Sequence, residues 1–175
     1  DMYPLQHRGQ EAAGIVAFEN GAISSHKGRG LVSEVFDTDA LEQLKGDTAV
    51  GHVRYSTAGG NDVANVQPLT VKYASGDLAL AHNGNLTNAG TLRSQLVEKG
   101  CIFQSTMDSE VIIHLIATSS YHDLLDKIVD SLRAVVGAYS LVAMTDDRLI
   151  GVRDPMGVRP LVLGNLDGAP ILTSE

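Results

Sequence analysis

The sequence has a single cysteine, no tryptophan and few basic residues. The lone Cys101 excludes an internal disulfide, which is typical of a reducing compartment. The 13 Lys and Arg residues stand against 21 Asp and Glu residues, and no stretch combines basic with aromatic residues as nucleic-acid surfaces do. Neither a leader peptide nor an apolar run of membrane-spanning length is found. We therefore expect a cytoplasmic protein without nucleic-acid or membrane partners.

The apolar content is sufficient for one globular core. Hydrophobic residues make up 43% of the 175 residues, and no repeat, low-complexity tract or flexible linker divides them. We therefore expect one domain over residues 1–175. Because the chain starts at Asp1 without a Met and stops directly after an apolar run, we also expect it to be truncated at both ends.

The pattern of short apolar runs predicts an α+β fold. Asn20-Gly21 and Asp167-Gly168 are dipeptides that suit tight hairpin turns, so the sheets should be largely antiparallel. Helical spacing of apolar residues predicts three helices, around Leu92, Val111 and Leu124, between two groups of strands. The predicted strands are residues 13–18, 22–26, 48–53, 69–73, 78–82, 139–144, 149–152, 161–163 and 171–173.

Asn83 and Gly84 are the first candidate site residues. They follow the strand predicted at 78–82 and precede a helix for which Asn88 is a plausible cap. A side-chain amide and a bare backbone N–H at the end of an apolar strand could stabilise an oxyanion. The alternative is an ordinary strand-to-helix loop, since Asn and Gly are common in loops for conformational reasons.

Two charged residues are further candidates. Asp108 continues the apolar stripe of Val111 and Ile112, and a carboxylate that faces inward needs a partner. Its alternative is a helix-start residue that compensates the helix dipole. Arg54 ends an apolar strand and could bind a carboxylate through two hydrogen bonds. The alternative is a surface residue at the end of a strand.

Other chemistries find no support in the sequence. The region Gly28-Arg29-Gly30 lacks the ending of a phosphate-binding loop, and no nucleophile elbow is present. Cys101 has no predicted base beside it, so we interpret it as a packing residue. A metal site is not expected, because the histidines lack paired-ligand spacing: they are His7, His26, His52, His82, His114 and His122.

Three long motifs carry a family resemblance. They are Leu5 to Ile15 (LQHRGQEAAGI), Gly51 to Gly59 (GHVRYSTAG) and Arg153 to Leu161 (RDPMGVRPL). Together with the Asn83 and Asp108 segments they resemble class II glutamine amidotransferases, and specifically the phosphoribosylpyrophosphate branch. Glucosamine-6-phosphate synthases differ in the first two motifs. The resemblance implies an N-terminal-nucleophile hydrolase fold, which is a four-layer αββα sandwich with two antiparallel sheets.

The resemblance also implies roles for individual residues. In this family an N-terminal cysteine attacks the glutamine amide and its own α-amine is the base. That cysteine is not in this chain, so we expect the chain alone to hydrolyse glutamine at no more than background rate. The implied roles are oxyanion stabilisation by Asn83 and Gly84, binding of the glutamine carboxylate by Arg54 and Thr57, binding of its ammonium by Asp108, and a position near the nucleophile for Arg8.

The implied reaction is that of a glycosyltransferase in purine biosynthesis. Ammonia from glutamine would reach a phosphoribosyltransferase domain, absent from residues 1–175, and convert phosphoribosylpyrophosphate to 5-phosphoribosylamine. The resemblance implies no cofactor in this domain, magnesium and in some relatives an iron-sulfur cluster elsewhere, and a homo-oligomeric parent. Two alternatives stay open. One is a non-catalytic relative that binds glutamine or a partner protein, and the other is a glutaminase that serves an acceptor such as fructose-6-phosphate.

Overall fold

The computed structural model describes residues 2–55 and 63–175. The chain divides into two compact units. The first unit contains Asp1–Ala81, Gln104–Met107 and Ala143–Leu149, and the second contains His82–Phe103, Asp108–Val142 and Ile150–Glu175.

Strands and helices follow the order that the sequence predicts. The strands of the described residues are β1 Ala12–Glu19, β2 Ala22–Arg29, β3 Thr48–Arg54, β4 Leu69–Tyr73, β5 Gly76–Leu86, β6 Gly137–Met144, β7 Leu149–Arg153, β8 Val162–Leu166 and β9 Ala169–Thr173. The α-helices are α1 Val32–Val35, α2 Thr38–Gln43, α3 Ala89–Glu98, α4 Ser109–Thr118 and α5 Leu124–Ala134. The sequence pattern missed α1, α2 and the short 3-10 helices at Tyr3–Arg8 and Val63–Asn65, which have too few residues to show a period.

The strands form three sheets, in the orders β2-β1-β3, β4-β5-β6-β7 and β8-β9. In the first sheet both neighbours of β1 are antiparallel to it. The two predicted hairpins are confirmed: Asn20 and Asp167 both adopt a φ of +52°, as the first position of such a turn requires, and each is followed by a glycine of positive φ. The β8-β9 pair forms a small sheet of its own rather than extending a larger one.

Each unit has its own packing. In the first unit α1 covers one face of the β1 sheet, where Ala13, Val32, Val35 and Phe36 form a buried cluster. In the second unit α4 contacts both α3 and α5, and its Val111 and Ile112 are fully buried. The described helices all fall short of the length and apolar character that a membrane-crossing helix requires.

Candidate functional site

Asn83 and Gly84 lie inside β5 and not in a loop. The sequence predicts that this strand ends at His82, and that prediction is wrong, because β5 continues to Leu86. The physical reason is the neighbouring strand. A Cβ on Gly84 would lie 2.1 Å from the carbonyl oxygen of Ala138, so a residue without a side chain lets β5 and β6 approach each other.

A second glycine, at the start of β6, makes a similar close contact with the backbone of β5. A Cβ on Gly137 would lie 2.3 Å from the carbonyl oxygen of Asn85. Just beyond, the Thr87 N–H donates to the Val136 carbonyl at 2.8 Å. These contacts fix the backbone of the Asn83-Gly84 segment against the start of β6, so its N–H groups are held in place before any ligand binds.

Asn88 takes part in this connection instead of capping a helix. It precedes α3, as the sequence predicts, but its side chain makes no cap hydrogen bond. Its Nδ2 donates to the Ala134 carbonyl at 2.8 Å, and its Oδ1 accepts from the Val136 N–H at 2.9 Å. The residue therefore ties the end of β5 to the segment between α5 and β6.

Asp108 lies immediately before α4, and its carboxylate is turned toward β5. Oδ2 accepts from the backbone N–H of Leu86 at 2.9 Å. Oδ1 accepts from the hydroxyl of Ser109 at 3.3 Å, and Nδ1 of His82 is 2.8 Å from that hydroxyl oxygen. The same Nδ1 is 3.5 Å from Oδ1 of Asp108. Asp108, Ser109 and His82 thus form a hydrogen-bonded group of side chains.

The surroundings keep Asp108 ionised. Burial alone would raise the pKa of its carboxyl, but the hydrogen bond and charge of His82, with the backbone N–H groups of Leu86 and Ser109, lower it below the ordinary value. Its side chain is 21% exposed, whereas that of His82 is 1% exposed. The carboxylate is therefore the one member of this hydrogen-bonded group that a solute could reach, and it carries the negative charge expected of a ligand for an ammonium group.

The sequence interpretation missed His82 and Ser109. His82 was considered only as a metal ligand, and Ser109 was not considered. One signal was available: a histidine within an apolar strand is buried, and a buried imidazole needs a polar partner. That signal does not say which residue is the partner, because the answer depends on how α4 packs against β5.

A buried carboxylate, that of Asp154, organises the loop that follows β7. It belongs to the RDPMGVRPL motif, to which the sequence interpretation gave no local role. Its oxygens accept from the backbone N–H groups of Met156, Val158 and Arg159 at 3.0, 3.2 and 3.1 Å, and from Tyr139 at 3.4 Å. Burial opposes ionisation, but these four donors outweigh it and lower the pKa of Asp154. The carboxylate thus fixes this loop to β6.

Arg54 and Arg8 lie in the first unit. Arg54 ends β3 and is 6% exposed, so its alternative as a surface residue is excluded. Gly9 packs on its backbone, since a Cβ there would lie 2.6 Å from the Arg54 nitrogen, and the Glu11 N–H donates to the Arg54 carbonyl at 3.1 Å. Arg8 is half-buried in the 3-10 helix Tyr3–Arg8, which packs against β3. Thr57 lies outside the described residues.

Cys101 has a structural environment. It is half-buried, and its N–H donates to the Leu96 carbonyl at 2.9 Å where α3 ends. Within the ranges 2–55 and 63–175, no group of three or more His, Cys, Asp or Glu side chains is arranged to hold a metal ion.

Comparisons with known proteins assign the family. Residues 52–175 match the glutamine amidotransferase domain family. The amidophosphoribosyltransferase of Rhizobium etli is 48% identical over 99% of this chain and 35% of its own length. That of Lacticaseibacillus casei is 49% identical over 93% of this chain and 84% of its own length. The solved glutamine phosphoribosylpyrophosphate amidotransferase of Bacillus subtilis, in complex with ADP and GMP, superposes with a TM-score of 0.92 at 46% identity, over 99% of this chain and 37% of that one.

This chain belongs to the amidophosphoribosyltransferase family. It corresponds to the glutamine amidotransferase domain of that family, and it has the α+β sandwich fold with antiparallel sheets that the sequence resemblance implied. The chain spans about a third of the length of several relatives, among them the Rhizobium etli enzyme at 35%.

Proposed function

We propose that this chain is the glutamine-hydrolysing part of an amidophosphoribosyltransferase. The observation that carries the proposal is the arrangement around β5. An Asn-Gly pair is fixed against β6, and an ionised, partly exposed carboxylate is hydrogen-bonded to the same strand two residues further on, at Leu86. These are the groups needed at the two ends of a glutamine molecule, which has an amide at one end and a charged amino group at the other.

Each residue then has a task in the reaction. The Asn83 amide and the Gly84 N–H stabilise the oxyanion that forms when a thiolate attacks the glutamine side-chain carbonyl. Asp108 binds the α-ammonium, while Arg54 and Thr57 bind the α-carboxylate and Arg8 lies near the nucleophile. Collapse of the tetrahedral intermediate breaks the C–N bond and releases ammonia, and water then cleaves the thioester to give glutamate.

The attacking cysteine is supplied from outside these 175 residues. Cys101 is the chain's single cysteine, and it is half-buried just beyond the end of α3. The acceptor part, where ammonia meets phosphoribosylpyrophosphate, also lies outside residues 1–175. We propose that any magnesium or iron-sulfur cluster of the complete enzyme belongs to that part, as the family resemblance implies.

The test is glutamate release by the complete gene product, with and without phosphoribosylpyrophosphate. Release that the acceptor stimulates, together with formation of 5-phosphoribosylamine, is the expected result. Release that is indifferent to phosphoribosylpyrophosphate but stimulated by fructose-6-phosphate would show a glutaminase with another acceptor. Glutamine binding without release would instead identify a non-catalytic relative.

A further inference from the structure

His82 lies between the two ends of the candidate glutamine site in the second unit. Its Nδ1 is 2.8 Å from the Ser109 hydroxyl oxygen and 3.5 Å from Oδ1 of Asp108. The other side of the ring faces Gly84, where a Cβ would lie 2.8 Å from Nε2. The imidazole of His82 therefore lies between the Asp108 carboxylate, the proposed ammonium ligand, and Gly84, the proposed oxyanion donor.

The backbone explains this placement. His82 and Gly84 are two residues apart on β5, so their side-chain positions lie on the same face of the strand. The ring of His82 lies beside Gly84, which has no side chain to displace it, and the N–H of Leu86, further along the same strand, donates to Asp108. The carboxylate is thus bound to the strand at two points, directly at Leu86 and through Ser109 at His82.

From this geometry we propose that His82 is a positioning residue. It holds the Asn83-Gly84 segment and the Asp108 carboxylate at a fixed position relative to each other. Through Ser109 it orients Asp108 toward a free α-ammonium, and through its Nε2 edge it supports Gly84. This inference rests on the proposed glutaminase function.

A substrate analogue can show whether a substitution affects the orientation of Asp108 specifically or the stability of the protein in general. Glutaramate is glutamine with the α-amino group replaced by hydrogen, so it has nothing to offer Asp108. Ser109→Ala removes the hydroxyl that links His82 to the carboxylate. In the complete gene product we expect this variant to raise KM for L-glutamine about tenfold, as loss of a hydrogen bond to a charged group predicts, and to change kcat/KM for glutaramate less than about twofold.

Two substitutions of His82 separate the two ends of the ring. In His82→Asn the side chain keeps an N–H near the position of Nδ1 but has no ring edge beside Gly84. In His82→Leu the side chain has neither the N–H nor the ring edge. We expect His82→Asn to keep KM for L-glutamine near the wild-type value while kcat falls. His82→Leu should raise KM and lower kcat together.

Ser131→Ala is the matched control. Ser131 is also a buried serine of the second unit, and its hydroxyl donates to the Lys127 carbonyl at 2.7 Å within α5. We expect its kinetic constants to equal those of the wild type. Equal effects of Ser109→Ala on both substrates, no effect on either, or identical constants for the two His82 variants would overturn the positioning role. Absence of glutamate release by the wild type would instead overturn the proposed function on which the role depends.

Discussion

Replacement of Gly84 by alanine tests the close approach of β5 and β6. The added methyl group would lie 2.1 Å from the Ala138 carbonyl oxygen and 2.8 Å from both the Tyr139 Cα and Nε2 of His82. Two of these three atoms belong to the backbone of β6, which cannot rotate away as a side chain can. The strands must therefore separate, or the methyl group must overlap them.

The expected loss of stability follows from this contact. Overpacking in a filled interior destabilises by about 1–3 kcal/mol, and the backbone contact favours the upper end of that range. For a chain of this size each kcal/mol lowers Tm by roughly 2–4 °C, so Gly84→Ala should lower Tm by roughly 6–12 °C. The measurement is thermal unfolding of the chain, followed by far-UV circular dichroism and checked by urea denaturation at constant temperature.

Gly90→Ala is the control for the same chemical change. Among the described residues, no atom lies within 4 Å of a Cβ on Gly90, which is in the first turn of α3. Because alanine favours helix more than glycine does, we expect stability to be unchanged or to rise by up to about 1 kcal/mol. The reasoning would be refuted if Gly84→Ala and Gly90→Ala had the same Tm, since the two differ in what surrounds the methyl group.

Three further predictions concern other residues of the second unit. Asn83→Ala should lower kcat for glutamine in the complete gene product about 100- to 1,000-fold with little change in KM, and a change confined to KM would contradict the oxyanion role. Asp154→Asn should destabilise at neutral pH. A depressed pKa gives stability that is present above the unfolded-state pKa and lost as pH falls through the folded-state pKa. Urea denaturation should therefore find that the difference from wild type shrinks as the pH falls below 3.8, the ordinary pKa of this carboxyl. Asn88→Ala removes the hydrogen bonds to Ala134 and Val136 and should lower the free energy of unfolding by about 1–2 kcal/mol. An unchanged free energy of unfolding would contradict this and would mean that solvent replaces both bonds.

Local chemistry made the hairpins predictable. A turn of two residues with positive φ is nearly restricted to dipeptides such as Asn20-Gly21, so a short stretch of sequence determines the fold there. The same holds for Asp167-Gly168, whose strands pair as predicted. Helices with a clear apolar stripe, such as α4, were predictable for a similar reason, since the period appears in the sequence itself.

The continuation of β5 through Asn83 and Gly84 was not predictable in this way. The same dipeptide forms a turn at Asn20-Gly21 and a strand at Asn83-Gly84, and the difference lies in a partner that is distant in sequence. Gly84 is extended because β6 brings the Ala138 carbonyl against it. The role of His82 was hidden for the same reason, because its partner Ser109 is on α4 and only tertiary packing joins them.

The contacts of Asp108 bear on its two sequence interpretations. The Asp108 carboxylate is hydrogen-bonded to the backbone N–H of Ser109, the first residue of its own helix, but it makes no cap hydrogen bond further into the helix, and its Oδ2 accepts from Leu86 on β5. Since the pKa of Asp108 is lowered despite burial, the charge is already present when a ligand arrives. A cationic donor that approaches its exposed side would therefore meet a charged carboxylate that the protein has fixed in place, which agrees with the proposed binding of an α-ammonium.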